Sequence, residues 1–226
     1  MPTKRAAATV LVSWAVLAVL VVGAGWLLTH PWQRGVAGFD DPISRWFARQ
    51  RTPALTEGSD PATFLGETPV GVALVVVVAV AFALWRRSWR PLVFAAVVEA
   101  GLGAFYWLGT HLDPRARPPV RILDPGLVPD ASFPSGHVAT ATAVAGCAVA
   151  LAWAYAPAVA PWLPVLAVLP VWTLLARLYV GAHHLTDALT SLVYATVWVG
   201  AVALSVLPLR VEGGGAGIGS PGPRGA

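Results

Sequence analysis

The sequence contains too little charge for a water-soluble protein. Charged residues make up 12% of its 226 residues and apolar residues 57%, whereas a typical soluble domain is about 25% charged. Such a chain cannot cover its folded surface with polar groups, so we expect a lipid environment. The formal net charge is +4, but the basic residues form short clusters beside apolar runs. That placement is typical of membrane topology and gives no support for a nucleic-acid partner.

Cysteine and lysine are almost absent. Cys147 is the only cysteine and lies within an apolar run, which excludes an intrachain disulfide and a thiolate metal site. Lys4 is the only lysine, so every other fixed positive side chain is an arginine. No cluster of Asp and Glu accompanies the candidate residues described below, and we predict no metal and no other cofactor.

Six apolar runs are long enough to cross a bilayer, which takes about 20 helical residues. They are Val10–Leu28, Thr68–Trp85, Pro91–Gly109, Val138–Tyr155, Trp162–Val180 and Ala188–Leu207. The first run follows Lys4 and Arg5 as a signal peptide would, but it is longer than a usual signal and no A-x-A site follows. We predict an all-α domain of six transmembrane helices over 10–208, an N-terminal tail over 1–9 and a disordered Gly/Pro-rich tail over 209–226.

Two connections between these runs are long. The first, over 30–67, contains Phe39–Arg51, whose apolar residues repeat at helical spacing and predict a short interfacial helix. This helix could be purely structural or could admit lipid. The second connection, over 110–137, is polar and rich in Arg and Pro.

The basic residues predict the orientation. One set of loops and termini carries basic residues with almost no acid, namely Lys4, Arg5, Arg86, Arg87, Arg90 and Arg210. The opposite loops mix arginine with aspartate and glutamate. The positive-inside rule then places both termini in the cytoplasm and both long connections outside it.

The segment Pro134-Ser135-Gly136-His137 stands directly before the fourth apolar run. Proline suits a first helical turn, and the unpaired N–H groups of a helix start are suited to bind phosphate. His137 adds a titratable group beside them. A plain helix cap with an interfacial histidine is the alternative.

A second candidate segment joins the fifth and sixth runs. Arg177 lies inside a run, where an arginine is costly unless it faces a polar cavity or partner. His183 and Asp187 are spaced i, i+4, so on a helix the carboxylate could accept from the imidazole Nδ1–H and leave Nε2 free to attack. His184 is the alternative nucleophile, and a structural His–Asp hydrogen bond is the alternative for the pair.

A third segment, Arg115-Ala116-Arg117, precedes Pro118 in the second long connection. Two arginines this close can bind phosphate oxygens with bidentate hydrogen bonds, although a lipid-headgroup cluster would look the same. All three segments fall on one predicted side of the membrane. Together they predict a site that binds and transfers phosphate.

These segments resemble the type 2 phosphatidic acid phosphatase superfamily, which includes lipid phosphate phosphatases and vanadium haloperoxidases. The signatures of that superfamily are K-x6-R-P, P-S-G-H and S-R-x5-H-x3-D. The second is complete here. The third matches at Arg177, His183 and Asp187, with Ala176 in the serine position, and the first matches at Arg117 and Pro118, with Thr110 in the lysine position.

The resemblance implies that His183 attacks phosphorus to form a phosphohistidine, that Asp187 orients it, and that His137 protonates the leaving group. The phosphoryl oxygens would be bound by Arg117, Arg177 and the donors of Ser135 and Gly136. Arg115 is a further candidate for these oxygens, and we expect Arg115 or Arg121 to compensate for the missing lysine. Glu99, midway along the third run, receives no role.

The expected substrates are membrane phosphomonoesters or diphosphates: phosphatidic acid, phosphatidylglycerol phosphate or a polyprenyl diphosphate. The expected location is a bacterial cell membrane, with the active site outside the cytoplasm. A phosphotransferase of the same fold and a weakly active lipid-binding or transport protein are the alternatives.

Overall fold

The computed structural model describes residues 4–209, and all regular structure within that range is helical. The helices are α1 (Lys4–Thr29), α2 (Gln33–Arg49), α3 (Pro53–Gly66), α4 (Thr68–Arg86), α5 (Arg90–Leu112), α6 (Gly136–Tyr155), α7 (Val168–Tyr179) and α8 (Leu185–Val206), with a 3₁₀ helix over Ala160–Ala167 before α7. Six elements are long and apolar enough to cross a membrane: α1, α4, α5, α6, α8, and the 3₁₀ helix together with α7. The predicted all-α fold with six spans is confirmed.

The ends of two predicted elements differ from the structure. Helix α1 begins at Lys4, so most of the predicted N-terminal tail is helical. The fifth span starts as a 3₁₀ helix that contains Pro161 and Pro164, because proline has no N–H to donate and disfavours the interior of an α-helix. Apart from 209, the predicted disordered tail lies outside the described residues.

Helices α6 and α8 form the centre of the bundle, where α6 contacts α4, α7 and α8. Trp198 of α8 is buried, and its Nε1 donates to the Val98 carbonyl of α5 at 3.0 Å. A Cβ on Gly101 would lie 2.4 Å from the Trp198 ring, so this glycine permits the close approach of α5 and α8. The outer surface exposes many large apolar side chains, such as Leu11, Val19 and Leu204, as expected of a surface covered by lipid.

The first long connection contains two helices, of which only α2 was predicted. Helix α2 buries Asp40 and Ser44, while Phe39 and Trp46 are exposed. The polar face therefore contacts the protein and part of the apolar face points away from it. Helix α3 begins after Thr52, whose hydroxyl accepts from the Leu55 N–H at 3.2 Å.

The second long connection folds back on itself across the turn between α7 and α8. The Arg115 N–H donates to the Asp130 carbonyl at 2.8 Å, and the Ser132 N–H donates to the Arg115 carbonyl at 3.0 Å. Farther along, the Leu123 N–H donates to the Val180 carbonyl at 2.9 Å. This path brings all three candidate segments to one end of the bundle.

Candidate active site

A tight turn over 180–184 determines where the candidate histidines lie. Gly181 has φ +78°, and a Cβ there would lie 2.8 Å from Val120 and 2.9 Å from Arg51 Nη2. This backbone conformation favours glycine. Because α8 begins only at Leu185, His183 lies in the turn and not in the helix.

His183 is buried, and its Nδ1 lies 2.6 Å from the Ser132 carbonyl oxygen. A carbonyl oxygen can only accept, so Nδ1 carries the proton and Nε2 of the neutral ring keeps its lone pair. The prediction that the Asp187 carboxylate accepts from His183 is wrong, because the i, i+4 relation applies only within a helix. Nε2 of His183 nevertheless forms no hydrogen bond to any described residue.

The surroundings of His183 keep it uncharged. Burial lowers the pKa of His183 to about 3, and the positive charges of Arg177 and Arg117 act in the same direction. The negative charge of Asp187 opposes them without offsetting the effect of burial. The imidazole is therefore neutral near pH 7, which is the form that can attack phosphorus.

Asp187 is the centre of a buried hydrogen-bond network. Its Oδ2 accepts from Ser132 Oγ at 2.6 Å and from the His184 N–H at 3.0 Å, and it lies 3.2 Å from His184 Nδ1. Its Oδ1 accepts from Arg115 Nη1. Asp187 thus reaches His183 indirectly, through Ser132, and its direct histidine partner is His184.

The guanidinium of Arg115, which was predicted to bind phosphoryl oxygens, is engaged by protein groups. Its Nη1 donates to Thr186 Oγ1 at 2.8 Å and to Asp187, and its Nη2 donates to Asp40 Oδ2 at 2.9 Å. The fully buried Asp40 also accepts from the N–H and the hydroxyl of Thr186. Arg115 therefore links α2 to the start of α8, and its guanidinium is taken by two carboxylates.

Arg117 is held in place by backbone carbonyls. Its Nε donates to the Val128 carbonyl at 2.8 Å and its Nη1 to the Ala182 carbonyl at 2.6 Å. Within residues 4–209 its Nη2 forms no hydrogen bond. The guanidinium is thus fixed beside the turn that carries His183, with one nitrogen left for a ligand.

Arg177 is completely buried, near the end of α7. Its Nη2 lies 2.8 Å from Asp124 Oδ2, an ion pair, whereas its Nε and Nη1 have no hydrogen-bond partner among the described residues. Burying a charged group without hydrogen bonds is costly. A guanidinium in this state is suited to receive the oxygens of an anion.

The start of α6 supplies the remaining candidates. Gly136 and His137 are its first residues, so their N–H groups have no acceptor within the helix. The Ser135 N–H, in contrast, is already paired, because it donates to Ser191 Oγ at 2.8 Å. The expectation that it binds phosphate is therefore wrong for the backbone donor. His137 lies within electrostatic reach of Arg177, Asp124 and Arg117.

The profile of the PAP2 superfamily matches residues 92–210, more than half of the chain. This protein belongs to the PAP2 superfamily. A comparison with curated protein sequences gave no match.

One solved structure with the same fold is a transmembrane PAP2-type phosphatidylglycerolphosphate phosphatase from Bacillus subtilis. It superposes with a TM-score of 0.70 over 84% of this chain and 92% of its own, at 22% sequence identity. The membrane fold of that PAP2 protein and the six apolar helices together identify the present chain as a multi-pass membrane protein.

This PAP2 protein departs from the superfamily signatures at two positions, and neither substitute enters the site. Thr110 Oγ1 donates to the Tyr106 carbonyl at 2.9 Å, so the hydroxyl is turned onto its own helix. Ala176 is buried beside a groove that Trp46 and Leu55 also line. Of the two arginines expected to compensate for the lysine, Arg115 is paired with Asp40 and Asp187, whereas Arg121 is exposed. Among the described residues there is no group of three or more His, Cys, Asp or Glu side chains suited to hold a metal ion.

Proposed function

We propose that this protein is an integral-membrane phosphatase that hydrolyses lipid phosphomonoesters or diphosphates through a phosphohistidine on His183. The main support is the completely buried Arg177, whose Nε and Nη1 have no partner among the described residues and whose charge acts on His183 and His137. A buried cation beside two histidines favours binding and transfer of an anionic group. Phosphatidic acid, phosphatidylglycerol phosphate and polyprenyl diphosphates are the substrates proposed.

In the first step, Nε2 of His183 attacks phosphorus and forms a P–N bond. The bond from phosphorus to the leaving oxygen breaks, and His137 donates a proton to that oxygen. Arg117, Arg177 and the N–H groups at the start of α6 stabilise the negative charge spread over the phosphoryl oxygens. The Ser132 carbonyl holds the Nδ1 proton of His183 throughout, so that Nε2 stays aimed at the phosphoryl group.

In the second step, water attacks phosphorus and the P–N bond breaks. His137, now neutral, accepts a proton from the water, and inorganic phosphate leaves. Arg117 and Arg177 supply the positive charge in both proposed steps.

The experiment is phosphate release from a panel of lipid phosphates, with detergent-solubilised protein in EDTA and with vanadate as inhibitor. We expect release from at least one lipid that vanadate blocks and that His183→Ala lowers by at least about a thousandfold, as for loss of a catalytic nucleophile. His30→Ala, which removes an exposed histidine, should match the wild type. Release that survives His183→Ala would rule out the proposed nucleophile. Phosphate passed to an added alcohol would indicate a phosphotransferase, and an inactive wild type would indicate a binding or transport protein.

We further propose that the site faces outward from a bacterial cell membrane. Helix α5 spans between the basic turn at Arg86–Arg90 and the connection that carries Arg117, so these two loops lie on opposite sides. In a Cys147→Ala background, a membrane-impermeant maleimide added to intact cells should label Arg121→Cys and spare Trp89→Cys. The reverse pattern would place the site in the cytoplasm.

A further inference from the structure

Asp124, the ion-pair partner of Arg177, lies in a part of the long connection that no superfamily signature covers. Asp124 follows Leu123, whose N–H is bonded to the Val180 carbonyl. Leu123 and Leu127 pack against the buried cluster of Tyr179, Val180 and Ala182. Apolar contacts on both sides therefore hold Asp124 over the turn that carries His183.

The Asp124 carboxylate contacts the same cation that is proposed to bind the substrate. Its Oδ2 lies 2.8 Å from Arg177 Nη2, and its side chain is 26% exposed while that of Arg177 is fully buried. Its charge also acts on Arg117 and on His137. These three groups are the ones assigned to phosphoryl binding and proton transfer.

A carboxylate and a phosphoryl group are alternative acceptors for one guanidinium. Both are anions, and two like charges at one small site repel each other. The ion pair engages one nitrogen of Arg177, because Nε and Nη1 have no partner among the described residues. Asp124 therefore offsets the buried charge of Arg177 but leaves two of its nitrogens unpaired, whereas a phosphoryl group can offset the charge and also accept from those nitrogens.

We propose that Asp124 determines phosphate affinity: its carboxylate neutralises Arg177 in the empty site and is displaced when a phosphoryl group binds. This inference rests on the proposed function of Arg177 as a phosphoryl-binding residue. A resident competitor weakens the binding of substrate and of product phosphate alike, because only the displaced form is competent to bind. It thereby favours release of inorganic phosphate at the end of the reaction.

The test compares Asp124→Asn with Asp130→Asn in the detergent-solubilised full-length protein. Asp130 lies in the same connection and is exposed, so its variant removes an equal charge without touching Arg177. The probes are inorganic phosphate and vanadate, and binding is measured as the ligand-induced rise in Tm and, where activity exists, as the inhibition constant. Asp124→Asn should bind both probes about tenfold more tightly and lower KM, while Asp130→Asn should resemble the wild type.

Gly126→Ala supplies a second variant in case Asp124→Asn fails to fold. Gly126 has φ +85° and nothing near its Cβ position, so alanine would strain the backbone two residues after Asp124 and leave the charge in place. We expect tighter phosphate binding here too, by a smaller factor.

Three outcomes separate this inference from the proposed function. Unchanged phosphate binding in both Asp124→Asn and Gly126→Ala overturns the inference even when the lipid phosphatase is active. A fall in kcat with weaker phosphate binding in Asp124→Asn also overturns it, because Asp124 would then be needed to position Arg177. Tighter phosphate binding without any lipid phosphate hydrolysis supports the inference for the anion site and contradicts the proposed enzyme.

Discussion

Ser132 joins the proposed nucleophile to a buried carboxylate through two different atoms. Its carbonyl accepts from His183 Nδ1, and its hydroxyl donates to Asp187 at 2.6 Å. The Ser132 carbonyl therefore orients the ring of His183, and the hydrogen bond from the Ser132 hydroxyl to Asp187 fixes the backbone at Ser132. This arrangement performs the orienting role that a direct His183–Asp187 hydrogen bond was expected to perform.

Ser132→Ala separates the contribution of the Ser132 carbonyl from that of its hydroxyl. The variant keeps the carbonyl and removes the hydroxyl, so we expect kcat to fall about tenfold, the loss of roughly 1.4 kcal/mol typical of one hydrogen bond, with KM nearly unchanged. Steady-state kinetics on the best lipid substrate measures this. Ser59→Ala is the matched control, since Ser59 is buried and its hydroxyl bonds within its own helix. Equal kcat in Ser132→Ala and the wild type would contradict the positioning role of the hydroxyl.

Burial of a neutral His183 also makes stability depend on pH. Its pKa is about 3 in the folded protein against an ordinary 6.5, so the unfolded chain binds one more proton between these values. Stability therefore falls as pH drops through this window, by at most about 1.4 kcal/mol per pH unit from this group. We expect the Tm of His183→Gln in detergent to decline less between pH 6.5 and pH 4.5 than that of the wild type or of His30→Gln. Parallel declines in all three would contradict a neutral buried His183.

At the scale of helices, α2 packs against the bundle with its polar face, which contains Asp40 and Ser44. The buried Asp40 contacts Arg115 and Thr186 at the start of α8, while Phe39 and Trp46 remain exposed. Amphipathic spacing predicted the helix, but it could not predict this face, because lipid can cover apolar side chains as well as the protein interior can. Buried polar partners then decide which side packs inward.

Asp40→Asn tests this attachment of α2, and Asp41→Asn on the same helix is the control. Asp41 forms an exposed i, i+4 pair with Arg45 at 3.4 Å, and loss of an exposed pair costs roughly 0.5 kcal/mol or less. Loss of the buried Asp40 charge leaves Arg115 with one carboxylate, and we expect it to cost about 3 kcal/mol. Thermal unfolding in one detergent measures both variants. Equal Tm values for Asp40→Asn and Asp41→Asn would show that the buried ion pair does not anchor α2.

The six spanning helices were predicted, whereas helix α3 and the 3₁₀ start of the fifth span were not. A run of about 20 apolar residues has few alternatives to a spanning helix. Helix α3 has no such run and contains Pro61, and proline is disfavoured inside a helix. The 3₁₀ start of the fifth span likewise depends on the spacing of Pro161 and Pro164, which composition alone does not resolve.

Across the whole molecule, the sequence predicted which segments meet but not how their side chains pair. Arg117, Arg177, His137 and His183 come together at one end of the bundle, as the three segments implied. The engagement of Arg115 by two carboxylates could not be foreseen, because one carboxylate comes from a helix 75 residues away in sequence. Ion pairs of this kind depend on the path of the long connection, so no local pattern in the sequence predicts them.

Mass spectrometry of the phosphoenzyme tests directly whether His183 receives the phosphoryl group. His137→Ala should react with an aryl phosphate, whose leaving group needs no acid, and then hydrolyse the intermediate slowly because the second step loses its base. After an alkaline quench and trypsin digestion, His183 and His184 lie in one peptide that follows Arg177, and its fragments separate the two positions. We expect a phosphoryl group on His183 that disappears in His183→Ala. A phosphoryl group on His184, or on any other residue, would contradict it.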